Sequence, residues 1–334
     1  MGKRIHFLDN LRTGLILLVI VYSCTALFQD VPAFAAFTSW AQAFTLALLF
    51  FISGYFGASS LRIRQFKPFF KEKWRRIGWV WLAGSIILAP QLAYITSTSD
   101  DFLSFYMHHF WTDSFSQGPF WFLSLLLAFY VLLMGAKKVR PHCLQYAKEK
   151  STSGLILIVL IIANSAWRYS LGGALRQARV HPLYILDFPL GDVGTYGLYF
   201  LFGIFAFRHR WFTAKGPTPS PLWFLAFAAA SVCYLIYPIA PAADVLALTA
   251  LVGLTGAAAR WLNQDGKQAL TWAAISYPLY VVSQTLLLNT AWFVQLLDVG
   301  SSLKFILVCG LTLIYGYMLS KYLLLRIAPF KRKD

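Results

Sequence analysis

An all-α polytopic membrane bundle of about ten transmembrane helices is the fold this 334-residue sequence predicts, on three observations. The composition is 58% hydrophobic and only 13% charged, against a charged fraction of about 25% in soluble domains. Apolar runs long enough to cross a bilayer recur along the whole chain, each bounded by charge or by Pro and Gly. The Lys and Arg residues, which carry the net charge of +16, fall mostly in every second gap between those runs.

The first span, 13–29, follows Lys3, Arg4 and Arg12, and the second, 35–60, opens beyond Pro32 and stops at Arg62. Span three, 77–95, emerges from the basic stretch Arg62 to Arg76, and span four, 119–136, runs from Pro119 to Lys137. Spans five, 154–172, and six, 190–207, flank a polar connection rich in Arg and Asp. Spans seven, 220–240, and eight, 242–261, are separated at Pro241, while nine, 270–292, and ten, 303–324, close the chain before Arg326. Placing both termini in the cytoplasm leaves only Arg168, Arg176, Arg179 and Lys304 of the 29 cations outside, which satisfies the positive-inside rule. Asp30, Asp100, Asp101, Asp113, Asp187, Asp192, Asp244 and Asp298 then fall outside. Short basic loops of this kind fit a bacterial inner (cytoplasmic) membrane. Ten crossings take about 200 residues, so 1–334 reads as a single integral-membrane domain with no room for a soluble one. Asp9 and Arg12 interrupt the basic start and no small-residue cleavage site follows, so the first span is expected to be retained.

Several function classes drop out. Nucleic-acid binding requires the cations to share an exposed face, and here they alternate with apolar spans. Cys24, Cys143, Cys233 and Cys309 are scattered singly without metal spacing, so no metal site is expected and they read as small core residues. There is no sequence repeat or sustained heptad. A transporter or channel has little support, because the spans carry few charges beyond their ends.

Polar chemistry concentrates in a few places. Asp9 and Arg12 lie three residues apart on one helical face at the cytoplasmic interface, either as a self-neutralising anchor or as an Arg presented to a phosphate. From Arg62 to Arg76 the cations are interleaved with Phe66, Phe69, Phe70 and Trp74. This is the pattern of an amphipathic interfacial helix on anionic lipid or, alternatively, of a coenzyme phosphate clamp. In span two Ser53-Gly54 sits among aromatics, where small residues permit close helix approach or a kink. His108 and His109 precede the aromatic belt of span four and read as ordinary loop residues or a metal or proton site. The connection Trp167 to Asp192 holds Arg168, Arg176, Arg179, His181, Asp187 and Asp192. It is the best external-ligand surface, or else a loop held by its own Arg–Asp pairs.

These segments resemble the integral-membrane acyltransferase type 3 superfamily, which includes O-antigen acetylases and periplasmic glucan succinyltransferases. The match runs through Phe7-Leu8-Asp9-Asn10-Leu11-Arg12, Phe50-Phe51-Ile52-Ser53-Gly54-Tyr55-Phe56 and Lys73-Trp74-Arg75-Arg76-Ile77-Gly78. It continues through Trp121-Phe122-Leu123 and Ile275-Ser276-Tyr277-Pro278-Leu279-Tyr280, and so covers essentially the whole chain. The resemblance implies a membrane acyltransferase that moves an acyl group from cytoplasmic acyl-CoA to an extracytoplasmic glycan or lipid hydroxyl. Arg12, Lys73 and Arg76 fall on the family's coenzyme-binding positions, with Lys73 replacing an Arg fork by a point charge. On the outer side Arg168, Arg176, Arg179 and Trp121 are the expected acceptor contacts.

The sequence departs from the family at its histidines. The catalytic His of span one falls, counted from Arg12, on Ser23, a second falls on Ser283 before Gln284, and a third on Pro119. Serine cannot take the acceptor proton unaided. The expectation is therefore either an acyl-CoA-dependent O-acyltransferase with an altered base, such as a loop His, or a catalytically silent relative. The silent relative would act as an envelope lipid or glycan carrier, sensor or partner subunit. The expected partners are membrane lipids, acyl-CoA and the acceptor.

Overall fold

The computed structural model describes residues 5–95, 97, 101–112, 115–150, 154–175, 179–180, 188–213, 216–327 and 329–330. It is an all-α polytopic membrane protein. Its helices are α1 (His6–Thr25), α2 (Pro32–Ile63), α3 (Phe66–Ile95), α4 (Gly118–Val139) and α5 (Gly154–Tyr169). They continue with α6 (Leu190–Arg208), α7 (Trp223–Ile236), α8 (Ala240–Trp261), α9 (Lys267–Gln295) and α10 (Ser301–Tyr322). Among the described residues the only strands are Arg179–Val180 and Phe188–Pro189, an antiparallel pair within the polar connection before α6.

Eight of these bodies are long and apolar enough to cross a membrane, α5 with the short helix that follows it, over Leu155–Ala174. The other two differ from the expected spans for separate reasons. With 14 residues, α7 rises roughly 21 Å, short of the hydrocarbon thickness. The 29 residues of α9 are long enough but carry too many polar side chains, Ser276, Ser283, Gln284 and Asn289 among them.

The basic stretch after Arg64 is not a separate interfacial helix. It forms the first turns of the 30-residue α3, which contains two π-helical turns, Trp74–Gly78 and Gly84–Leu88. Such turns commonly mark functional positions, because the widened ladder re-aims side chains and frees backbone groups. Here the Arg76 carbonyl, inside the first π-turn, accepts a hydrogen bond from Tyr277 Oη at 2.7 Å.

At the centre α2 packs against α1, α6 and α8. In lipid, helix association relies on close packing, and the α2–α6 contact is built on glycine. A Cβ at Gly54 would strike the Phe200 backbone, and one at Gly203 would strike the Phe51 backbone. The Ser53-Gly54 pair therefore serves helix approach. Tyr55 Oη, on the next residue of α2, donates to the Trp211 carbonyl at 2.7 Å and ties α2 to the connection after α6. Asn10 donates to the carbonyls of Leu262 and Gln264 at 2.7 and 3.0 Å and pins the start of α1 beside the α8–α9 turn.

Candidate functional site

The three positions where the family resemblance leads one to expect a histidine, Ser23, Ser283 and Pro119, lie around one turn of α9. Gln284 donates to Ser23 Oγ at 2.9 Å, so α1 and α9 meet where two of the departures fall. One turn earlier Tyr280 Oη donates to the carbonyl of Pro119, the third position, at 2.6 Å. Ser23 in turn donates to the Val19 carbonyl at 2.8 Å, which occupies its proton. Ser283 does not reach Ser23. It is fully buried and donates back to the Tyr280 carbonyl at 2.9 Å, so Gln284 is the side chain that faces α1.

Two residues before Pro119, the buried Gln117 accepts from Trp81 Nε1 at 2.9 Å and from Ser124 Oγ at 2.7 Å, while its own amide N–H group has no partner. Sequence reading did not single out Gln117. Its position beside the aromatic motif of α4 was the one available signal.

The basic end of the bundle gathers the expected coenzyme residues. Lys73 experiences the charges of Arg76, Arg64 and Arg12, residues brought from the start of α1, the end of α2 and the start of α3. Its ammonium sits 4.6 Å from the Tyr130 ring centre and 5.4 Å from that of Phe69, a cation–π seat. Glu72 pairs with Arg64 and lies 4.0 Å from Arg76, and Asp9 lies 4.0 Å from Arg12. Four cations thus face two carboxylates, and the buried Nε of Arg12 has no hydrogen-bond partner. This end can hold a polyanion.

At the opposite end the outer residues separate. Arg168, at the end of α5, pairs with Asp244 at 3.1 Å. Asp244, near the start of α8, is 1% exposed. It also accepts from Asn164 at 2.8 Å and from Ser165 at 3.0 Å. A pocket of 260 Å³ opens beside this cluster, with Arg168, Asp192, Thr195 and Tyr196 in its lining. Trp121 stands behind that wall, its ring 5.7 Å from Tyr196. Arg176 lies outside the described residues, and Arg179 is described only as backbone, in the short strand pair. A second cavity of 420 Å³, between Leu92 and Phe105, has no charged residue in its lining.

An aromatic chain links centre and pocket. Tyr280 contacts Phe122 at 6.2 Å, Phe122 contacts Phe50 at 4.8 Å, and Phe50 stacks on Tyr196 at 4.9 Å. No described histidine joins this path. His108 and His109 are exposed, His142 bonds Gln145, and His209 holds the Lys148 carbonyl at 2.5 Å. His181 lies outside the described residues. Among the described residues no group of three or more His, Cys, Asp or Glu side chains is placed to hold a metal ion.

Comparison with known proteins returns no match among curated proteins and none among solved structures. A family model described as an acyltransferase domain matches residues 5–321, from the turn before α1 to the last turn of α10. That range takes in the α1–α9 centre and both polar ends, and this multi-pass membrane protein therefore belongs to the acyltransferase type 3 family.

Proposed function

We propose that this acyltransferase-like membrane protein binds a cytoplasmic acyl-CoA at its basic end and passes the acyl group to a glycan or lipid hydroxyl on the far side of a bacterial inner membrane. The observation that carries the reading is the convergence of Arg12, Lys73 and Arg76 at one end of the bundle, where cations exceed carboxylates and a guanidinium nitrogen lacks a partner. Guanidinium forks suit phosphate oxygens, and a coenzyme's phosphates supply several. Both termini and the basic end would face the cytoplasm by the positive-inside rule.

In the transfer the thioester C–S bond breaks and an ester C–O bond forms. The acceptor's proton ends on the departing sulfur, so atoms balance without an imidazole, at the cost of the general-base acceleration. Calorimetry with acetyl-CoA and succinyl-CoA tests the reading. Arg12→Ala and Arg76→Ala are each expected to weaken binding about tenfold or more, as loss of a charge-assisted contact does. Folded wild-type protein that binds neither coenzyme would overturn it.

One observation favours a second reading, a catalytically silent relative acting as a carrier, sensor or partner subunit. Ser23 is engaged on both sides, by Gln284 and by the Val19 carbonyl, with no described histidine beside it.

A further inference from the structure

The pocket beside Asp244 holds two buried polar atoms that the protein does not satisfy, and both line it. Asn164 is 3% exposed and Thr195 6%, and Asn164 Oδ1 and Thr195 Oγ1 have no hydrogen-bond partner. The amide of Asn164 is oriented by chemistry. Its nitrogen donates to Asp244 Oδ1 at 2.8 Å, and an ionised carboxylate only accepts, so the amide oxygen is the atom left over. A buried acceptor of this kind calls for a donor from within the pocket, and a ligand hydroxyl supplies one as an ordered water does.

Charge narrows the ligand further. Arg168, the one cation in the described lining, is paired with Asp244, and the other charged residue there is Asp192, so the described lining does not favour an anion. The walls are otherwise hydroxyl and amide groups, Ser39, Gln42, Tyr199 and Tyr234 among them, over small alanines. The volume of 260 Å³ lies just under the range of about 300–1,000 Å³ for drug-sized ligands, which suits a single ring. Tyr196 presents an amphipathic aromatic wall, backed by Phe50 and Trp121.

We infer that this pocket is a binding site for an uncharged polyhydroxylated group, one sugar ring of an acceptor, whose hydroxyls donate to Asn164 Oδ1 and pair with Thr195 Oγ1. Asp244 is a positioning residue that orients Asn164 and Arg168. The assignment rests on the acyltransferase reading only for the word acceptor, because the pocket's selectivity for neutral hydroxyl groups stands on its own lining. The two ends of the bundle are then chemically opposite, one built for phosphates and the other for a neutral ring.

Saturation-transfer NMR on the purified full chain tests this with glucose, mannose and N-acetylglucosamine, and with glucose 6-phosphate as the charged comparator. At least one neutral sugar is expected to bind more tightly than glucose 6-phosphate. Thr195→Val, which keeps shape and removes the hydroxyl, and Asn164→Leu should each weaken that sugar about fivefold or more, while Thr195→Ser retains it. Acetyl-CoA binding is measured on the same samples, and melting temperature reports folding. If no neutral sugar binds, or if it binds equally well to both variants, the pocket assignment falls while coenzyme binding persists. If acetyl-CoA fails to bind and the sugar pattern holds, the acyltransferase reading falls and the pocket remains.

Discussion

Ser23→His is expected to raise acyl transfer from acetyl-CoA by about 100-fold over wild type, the lower range of general-base contributions. The position faces Gln284 on α9, one turn from Tyr280, and the wild-type hydroxyl has its proton committed to Val19 and its lone pair to Gln284. An imidazole there brings a base where the structure now places an engaged hydroxyl. The gain should follow the neutral imidazole, with a rate that rises with pH through about 6.5, the ordinary histidine value. Wild type and Ser23→Ala should lack that step. A Ser23→Gln variant, similar in size and not a base, separates the base from a repacking effect. A Ser23→His protein that binds acetyl-CoA yet turns over no faster than Ser23→Gln would favour the silent relative.

Gly203→Val should abolish the folded bundle or lower its melting temperature steeply, and Gly54→Val should do the same. Each glycine of the α2–α6 interface abuts the other helix's backbone, Gly54 at Phe200 and Gly203 at Phe51, and a backbone cannot turn aside as a flexible side chain can. The helices must separate, and about 3 kcal/mol is the expected cost from overpacking at each site. The readout is the thermal unfolding of detergent-solubilised protein. Gly135 and Gly310 provide the contrast, because nothing lies within 4 Å of an added Cβ at either. In those helix interiors alanine should be neutral or stabilise by up to about 1 kcal/mol. If Gly203→Val melts with Gly310→Ala, the close approach of α2 and α6 is not what holds the centre.

The site was legible in the sequence to different depths. Arg12 and the basic stretch that holds Lys73 and Arg76 were readable as charge beside span ends, a local signal, and the family resemblance is what grouped the three as coenzyme contacts. The basic stretch was misread in one respect. As an isolated segment its pattern suits a surface helix, and only its continuity with α3 through the π-turn at Trp74 places it in a crossing helix. The family resemblance marked Ser283 in span nine, and the side chain that meets Ser23 is its neighbour Gln284. Neighbouring helix positions diverge by about 100°, and the rotation of α9 decides which one points at α1. Asp244 was readable only as an acid at the outer end of a span, because its partners Asn164, Ser165 and Arg168 lie on another helix.

By itself the sequence determined that this is a polytopic helical membrane protein, where most of its apolar helices run and which connections carry the cations. Hydropathy and charge are properties of each residue that accumulate over windows of about 20, so no neighbour in space is needed to read them. Only the tertiary structure decided that Ser23 meets Gln284, that Arg168 closes on Asp244, and that Asn164 and Thr195 turn unsatisfied oxygens into one pocket. In a bilayer every apolar face is equally content with lipid. Which faces meet is set by small residues, side-chain interlock and interhelical hydrogen bonds, and these join positions far apart in the chain.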